Sequence, residues 1–139
     1  MGTILVIDGQ GGGIGKQLVA RLREQLPDAV ISVVGANCSA TNAMLKAGAN
    51  SGATGENAVV VGCRRAAVIA GPVGIVIADS LGGEITPAMA VAVAQSPARR
   101  VLLPFNHCDN IIVGVADYNV GRLVQCAVDE IVAIFSRGS

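Results

Sequence analysis

The sequence predicts an α/β fold in which a mostly parallel sheet lies between two layers of helices. Thr3–Ile7 is a short continuous run of β-branched and apolar residues, typical of a strand buried on both faces of such a sheet. A glycine-rich turn follows, and from Ile14 to Leu26 apolar residues recur at helical spacing until Pro27 closes the run. Ala29–Val34 repeats the strand pattern. Strand, turn, helix and strand form a right-handed βαβ unit, the building block of a Rossmann-like three-layer sandwich.

The remainder of the chain continues this alternation. Thr86 and Pro87 begin one helix, because a hydroxyl cap with proline at the first helical position favours a helix start. Val73–Leu81 follows a proline and is assigned as a helix, although its β-branched content also suits a strand. The other predicted elements are helices over Ser39–Ala47, Gly55–Arg65, Pro87–Gln95 and Asn119–Phe135, strands over Ala66–Ala70, Arg100–Phe105 and Ile111–Val115, and a loop over Gly48–Gly52.

The lengths of the connections arrange these five strands. Ile111–Val115 follows Arg100–Phe105 after only Asn106–Asn110, which is too short for a parallel crossover. The fifth strand is therefore predicted to be antiparallel, at the edge of the sheet. For the first four strands the predicted parallel core order is 3-2-1-4, which places Ala66–Ala70 beside Ala29–Val34.

Length and composition indicate one domain and exclude some partners. The 139 residues have room for a single domain of ordinary size, 1–139. With 52% hydrophobic and 14% charged residues, the chain can fill a core but has few charges to cover its surface, so self-association is expected. Ten basic and ten acidic residues balance, and only 2% of residues are aromatic, so nucleic acid is not expected as a partner.

The sequence also predicts a cytoplasmic protein that is not a membrane protein. Met1–Asp8 has no apolar stretch of signal-peptide length. The longest apolar run, Val68–Ala78, is interrupted by Gly71–Gly74 and is too short to span a bilayer. The four cysteines lie apart without a CxxC pair, so reduced thiols and no metal site are expected.

The most informative motif is the glycine-rich segment Asp8–Lys16, at the predicted carboxyl edge of the sheet. Glycines there let the backbone approach a ligand closely, and the free amides of a helix start favour a phosphate. The dinucleotide pattern GxGxxG is not met, because Ile14 or Lys16 takes its last position. A Walker loop is excluded as well, since Gln10 and Gln17 stand where it needs glycine and Ser or Thr.

The spacing GxxxGxG does fit this segment and resembles the turn of short-chain dehydrogenases. Gly9, Gly13 and Gly15 form it, although Asp8 stands where that family usually has threonine. The tyrosine-x-x-x-lysine pair of those enzymes is missing, because Tyr118 is the only tyrosine and no lysine follows it. Hydride transfer of their kind is therefore not supported.

The segment after the second strand suggests a ribose-binding role. Dinucleotide sites usually have Asp or Glu there, whereas Gly35–Thr41 contains no acid. Its amide and hydroxyl side chains suit a ribose or a 2′-phosphate, which favours NADP(H) over NAD(H). The alternative is a non-catalytic sensor or assembly protein whose glycine turn only packs a helix on the sheet. The predicted cofactor-binding residues are Gly9, Gln10, Gly11, Gly12, Gly13, Ile14, Gly15, Asn37, Ser39 and Thr41.

The sequence assigns no catalytic residue and no reaction. His107, Cys108 and Asp109 combine a base, a thiol and a carboxylate, but consecutive side chains diverge and a hairpin turn is expected there. Asp79 and Glu84 have no capping role, so each is either an acid or base, or a solvated loop carboxylate.

The last predicted helix indicates a homodimer or a larger homo-oligomer. Its end is apolar all round, and Ile134 and Phe135 are expected on flanks that the core of their own chain does not reach. A twofold contact there would bury both side chains.

Four stretches of the chain together resemble one small bacterial family of unknown function, found mainly in Firmicutes. They are Ile7–Lys16, Thr41–Asn50, Gly52–Ala58 and Gly83–Met89. The resemblance covers nearly the whole chain and implies a Rossmann-like sheet and a bacterial cytoplasmic protein. It implies no reaction and no catalytic residues.

Overall fold

A computed structural model describes residues 2–137. Within them the chain forms a sheet of five parallel strands in the order β3-β2-β1-β4-β5. All residues of β1 and β4 are buried, because these central strands are covered on both faces. The strands are β1 (Ile4–Asp8), β2 (Ile31–Gly35), β3 (Ser51–Thr54), β4 (Val68–Pro72) and β5 (Arg99–Leu103).

Helices cover both faces of the sheet and give the predicted three layers. Successive residues of β1 point to opposite faces. Ile4 and Val6 pack in the core under α1, α2 and α5, whereas Leu5 and Ile7 pack in the core under α3 and α4. No helix within residues 2–137 is long and apolar enough to cross a membrane. The helices are α1 (Gly13–Gln25), α2 (Cys38–Lys46), α3 (Glu56–Arg65), α4 (Pro87–Gln95) and α5 (Val120–Ser136).

The predicted antiparallel hairpin is wrong. The strand that begins at Arg99 pairs parallel with β4, because α4 provides the crossover between them. Ile111–Val115 is part of a loop over residues 104–119. Pro104 follows β5 directly, and Asn106 and Cys108 adopt positive φ values of 57° and 56°, so the chain leaves the sheet at this point.

The sheet instead contains a strand that the sequence does not reveal. Ser51–Thr54 was expected to begin in a loop, but it pairs with β2 from Ser32 to Gly35. All four of its residues are exposed, so it has no apolar signature. Because β3 occupies that side of β2, the predicted core order 3-2-1-4 is wrong. The strand predicted over Ala66–Ala70 is β4, which lies beside β1, and the strand predicted over Arg100–Phe105 is β5, which pairs with β4 and not with β1.

Two smaller expectations also differ from the structure. The helix predicted over Val73–Leu81 is a single 3₁₀ turn over Val73–Val76. Asp79 and Leu81 have positive φ values of 66° and 56°, which an α-helix does not allow. The segment after the 3₁₀ turn is therefore a series of turns that leads to α4.

The expectation that the core of the chain does not reach Ile134 and Phe135 is wrong. Ile134 is only 4% exposed and belongs to the core of its own chain, and Phe135 is half-buried against that core. Ile134 needs no partner for burial. The large apolar side chains that the structure exposes lie elsewhere: Val30, Val91, Ile111, Val113 and Tyr118.

Candidate functional site

The glycine turn borders a small cavity at the carboxyl end of the sheet. From β1 the chain passes to β2 and β3 on one side and returns to β4 on the other, so the strand order reverses between β1 and β4. Ligands of open α/β sheets collect at such a point. A cavity of about 290 Å³ opens there, lined by Asp8, Gly9, Gln10, Gly11, Gly13, Ile14, Gln17, Asn106 and Val120.

The carboxylate of Asp8 accepts hydrogen bonds from backbone amides at both ends of the glycine turn. Asp8 Oδ1 accepts a hydrogen bond from the amide of Gly9 at 2.8 Å, and Oδ2 accepts one from the amide of Gly15 at 2.7 Å. The residue is only 3% exposed. Burial raises the pKa of this carboxyl, the amides of Gly15 and Gly9 oppose the rise, and the charge of Glu84 adds to it. Asp8 therefore occupies one of the amide donors at the positive, N-terminal end of α1.

The carboxylate of Glu84 also binds the glycine turn. Glu84 Oε1 accepts the amide of Gln10 at 2.6 Å, and Oε2 accepts Asn37 Nδ2 at 2.7 Å. Asn37 Nδ2 also donates to the carbonyl of Gln10 at 2.9 Å. Glu84 therefore joins the loop before α4 to the glycine turn and to the end of β2. It belongs to the site, whereas Asp79 is an exposed residue of the same loop.

Three glycines of the turn are required by packing within the chain. A Cβ on Gly9 would lie 2.6 Å from Glu84 Oε1, and one on Gly12 would lie 2.9 Å from the Cα of Ala40. Gly12 also has a φ of 71°, in the left-handed region. A Cβ on Gly15 would collide with the sulfur of Met44. Gly12 and Gly15 thus allow α1 to lie close to α2, and Gly9 allows the turn to lie close to Glu84.

Gly11 and Gly13 are different, because nothing in the protein requires glycine there. A Cβ on either residue would have no protein atom within 4 Å, and neither has a positive φ. Both line the cavity. Their amides donate to no atom of residues 2–137. The turn therefore leaves two amides without an acceptor among residues 2–137, at the start of a thirteen-residue helix and beside the cavity.

The residues predicted to bind a ribose do not line this cavity. Asn37 Oδ1 caps α2 by accepting the amide of Ala40, and Asn37 Nδ2 donates to Glu84 and to the carbonyl of Gln10. The hydroxyl of Thr41 is buried and bonds to the carbonyls of Asn37 and Ala53 and to the Thr54 hydroxyl. Ser39 is exposed and lines a different cavity. Asn37 and Thr41 therefore hold the fold together.

The sequence missed Asn106, Gln17 and Val120 as lining residues. Asn106 follows the carboxyl end of β5, where polar residues of a parallel sheet commonly serve a ligand. It was assigned instead to a hairpin turn, which hid this signal. The ring of the neighbouring His107 lies 6.1 Å from that of Tyr118, tilted by 49°, and His107 does not line the cavity.

The comparisons with known proteins concern the family more than the site. Residues 3–136 match the family described as "Domain of unknown function (DUF3842)". The chain belongs to the DUF3842 family. The expectation of a family of unknown function is thereby confirmed, and no curated protein matches this DUF3842 chain.

One similar solved structure is a dodecameric FMN-dependent UbiX-like decarboxylase from Escherichia coli O157:H7. It is 17% identical in sequence, and the match covers 93% of the DUF3842 chain and 94% of that chain, with a TM-score of 0.48.

Alanine substitutions at Gly12 and Gly13 should distinguish a glycine that packing requires from a glycine beside open space. Gly12→Ala should lower the free energy of unfolding by about 1–3 kcal/mol, because of its φ and its contact with Ala40. Gly13→Ala should leave it unchanged or raise it by up to about 1 kcal/mol, because alanine restricts the unfolded chain. Urea unfolding of both variants measures the difference. Equal destabilisation would contradict the open position of Gly13.

The buried carboxylate should make stability depend on pH. The folded-state pKa of Asp8 is raised. The carboxyl therefore contributes fully to the free energy of unfolding below the usual pKa of 3.8, and this contribution is lost as the pH rises through the folded-state pKa. The free energy of unfolding of the wild type, relative to Asp8→Asn, should therefore fall over that window. Urea unfolding across the pH range measures this fall, with the exposed Asp28→Asn as control. An NMR titration of the Asp8 carboxyl below 3.8 would contradict it.

Proposed function

We propose that this chain binds a small phosphate-bearing molecule of the nucleotide class in the cavity at the glycine turn. The observation that supports this is the pair of free amides at Gly11 and Gly13, two residues that line the cavity at the start of α1 and have open space where a Cβ would lie. Two amide donors and the positive end of a helix attract a phosphate. A side chain at either position would project into the space that the phosphate occupies.

The other lining groups suit the uncharged part of such a ligand. Each oxygen of Asp8 accepts one amide, so the carboxylate retains capacity to accept a hydrogen bond from a sugar hydroxyl in the cavity. Asn106 adds both a donor and an acceptor to the lining. Ile14 and Val120 provide apolar surface. The site therefore combines a phosphate subsite with acceptors for hydroxyl groups.

The cavity at the glycine turn is too small to enclose a whole dinucleotide by itself. Its volume of about 290 Å³ lies at the small end of ligand pockets, which span roughly 300–1,000 Å³. Binding of NADP(H) or NAD(H) in the way the sequence suggests would require Asn37 and Thr41 to give up hydrogen bonds within the protein. We therefore place these two cofactors behind a mononucleotide.

A specific observation also favours the second candidate, a non-catalytic sensor or assembly protein with a structural glycine turn. The chain's own carboxylates, Asp8 and Glu84, already accept three amides around the turn, at Gly9, Gln10 and Gly15. These charges weaken the attraction for a further anion. The two candidates differ in whether any ligand stabilises the native state.

Ligand-dependent unfolding distinguishes them. Thermal unfolding with AMP, FMN, ATP, FAD, NAD(H), NADP(H) and S-adenosylmethionine should show a raised midpoint with at least one mononucleotide. A ligand at one hundred times its Kd adds about 2.7 kcal/mol to the stability of the state that binds it. Gly13→Ala should weaken this response at least tenfold in Kd while folding normally, whereas Ala94→Ser on α4 should not. A midpoint unchanged by every compound would leave the structural interpretation.

We further propose that the chain self-associates through the loop over residues 104–119, not through α5. Ile111 and Val113 in this loop are 88% and 91% exposed, and apolar side chains this exposed favour contact with another surface. Ile111→Ser combined with Val113→Ser should lower the mass measured by light scattering and leave the circular dichroism spectrum unchanged. Val91→Ser on α4 is the control. A monomeric wild type at micromolar concentration would contradict the proposal.

A further inference from the structure

A second and larger cavity lies beside the glycine turn, between α1 and α2. This groove has a volume of about 850 Å³. Three of its lining residues are alanines, whose small side chains leave the space between the helices open. The lining residues are Lys16, Gln17 and Ala20 of α1, Ser39, Asn42, Ala43 and Lys46 of α2, and Ala47.

The charged residues that line the groove are all basic. Lys16 and Lys46 are both exposed, one on each helix, and no carboxylate lines the groove. Neither lysine forms a salt bridge with a carboxylate of residues 2–137. The hydroxyl of Ser39 and the amide of Asn42 add hydrogen-bonding groups on the same lining. Two unpaired ammonium groups with such neighbours are suited to a phosphate.

The groove adjoins the cavity at the glycine turn. Gln17 lines both of them. Gly13, Gln17 and Ala20 follow one another at helical spacing on a single face of α1. A helix rises 1.5 Å per residue, so Lys16 lies about 4.5 Å along the axis from Gly13, and Ala20 lies about 10 Å from it. One ligand can therefore reach both the free amides and the lysines.

We propose that the groove binds a second phosphate group of the same ligand, so that the natural ligand is a nucleotide with two separate phosphates. The inference rests on the proposed function, because the first phosphate is the one at Gly11 and Gly13. The second phosphate lies between Lys16 and Lys46, where it meets the positive charge that the glycine turn lacks. In the turn itself, Asp8 and Glu84 already neutralise the neighbouring amides.

Matched probes test this directly. AMP, adenosine 2′,5′-bisphosphate and adenosine 3′,5′-bisphosphate differ only in the second phosphate, and calorimetry gives the Kd of each. At least one bisphosphate should bind about tenfold or more tightly than AMP, which corresponds to about 1.4 kcal/mol. Lys46→Ala should remove most of this ratio and leave the Kd of AMP unchanged, and Lys46→Arg should keep it. Arg64→Ala, an exposed cation on α3, is the control.

The outcomes separate the two proposals. If AMP binds and depends on Gly13, but neither bisphosphate binds more tightly, the second phosphate site is overturned and the proposed function stands. A ratio that persists in Lys46→Ala overturns the site in the same way. If no compound of the thermal-unfolding series binds, or if binding ignores Gly13→Ala, the proposed function fails and the inference fails with it. If FMN or ATP binds but none of the three adenosine probes does, the proposed function stands and the second phosphate site is overturned.

Discussion

The bidentate hydrogen bonding of Asp8 is the interaction on which the site depends. Its two oxygens accept the amide directly after β1 and the amide of Gly15 in the first turn of α1, so one buried side chain fixes the direction in which the chain leaves the strand. A buried carboxylate costs free energy unless donors surround it, and the glycine-rich turn supplies these donors. The turn and the carboxylate therefore require each other.

This arrangement divides the backbone amides of the turn between two uses. The chain's own carboxylates bind the amides of Gly9, Gln10 and Gly15, whereas Gly11 and Gly13 remain free. A glycine turn without such carboxylates would offer all its amides to one large anionic group. Here the remaining donors suit a single phosphate group, and the acceptors beside them suit hydroxyls. The ligand chemistry therefore follows from the hydrogen-bonding groups that have no partner within the protein.

Much of the fold could be predicted because local signals and tertiary structure agree. Thr86 and Pro87 predict the start of α4, and the Thr86 hydroxyl does accept the amide of Met89 at 3.2 Å. The prediction failed where the local signal was absent or misleading. The strand Ser51–Thr54 is exposed and has no apolar pattern, whereas Ile111–Val115 has the pattern but stays outside the sheet. Only the pairing with neighbouring strands decides such cases.

For the candidate site, the sequence located the segment but not the role of each residue. Gly11, Gly12 and Gly13 are the same residue in the sequence, and only the positive φ of Gly12 and its contact with Ala40 distinguish it in the structure. Asn37 was expected to face a ribose because it follows β2. It caps α2 and bonds to Glu84, which is distant in the sequence. Long-range contacts of this kind have no local signature.

The parallel pairing of all five strands also determines how the protein must fold. Ile4 pairs with Ile31 on one side and with Val68 on the other, so no two neighbouring strands can form a local hairpin as a nucleus. Each pairing must close a long loop before its contacts compensate for the lost chain entropy, which makes folding slow. The cavity combines Asp8 at the end of β1 with Asn106 after β5, so it forms only when β1, β4 and β5 have assembled.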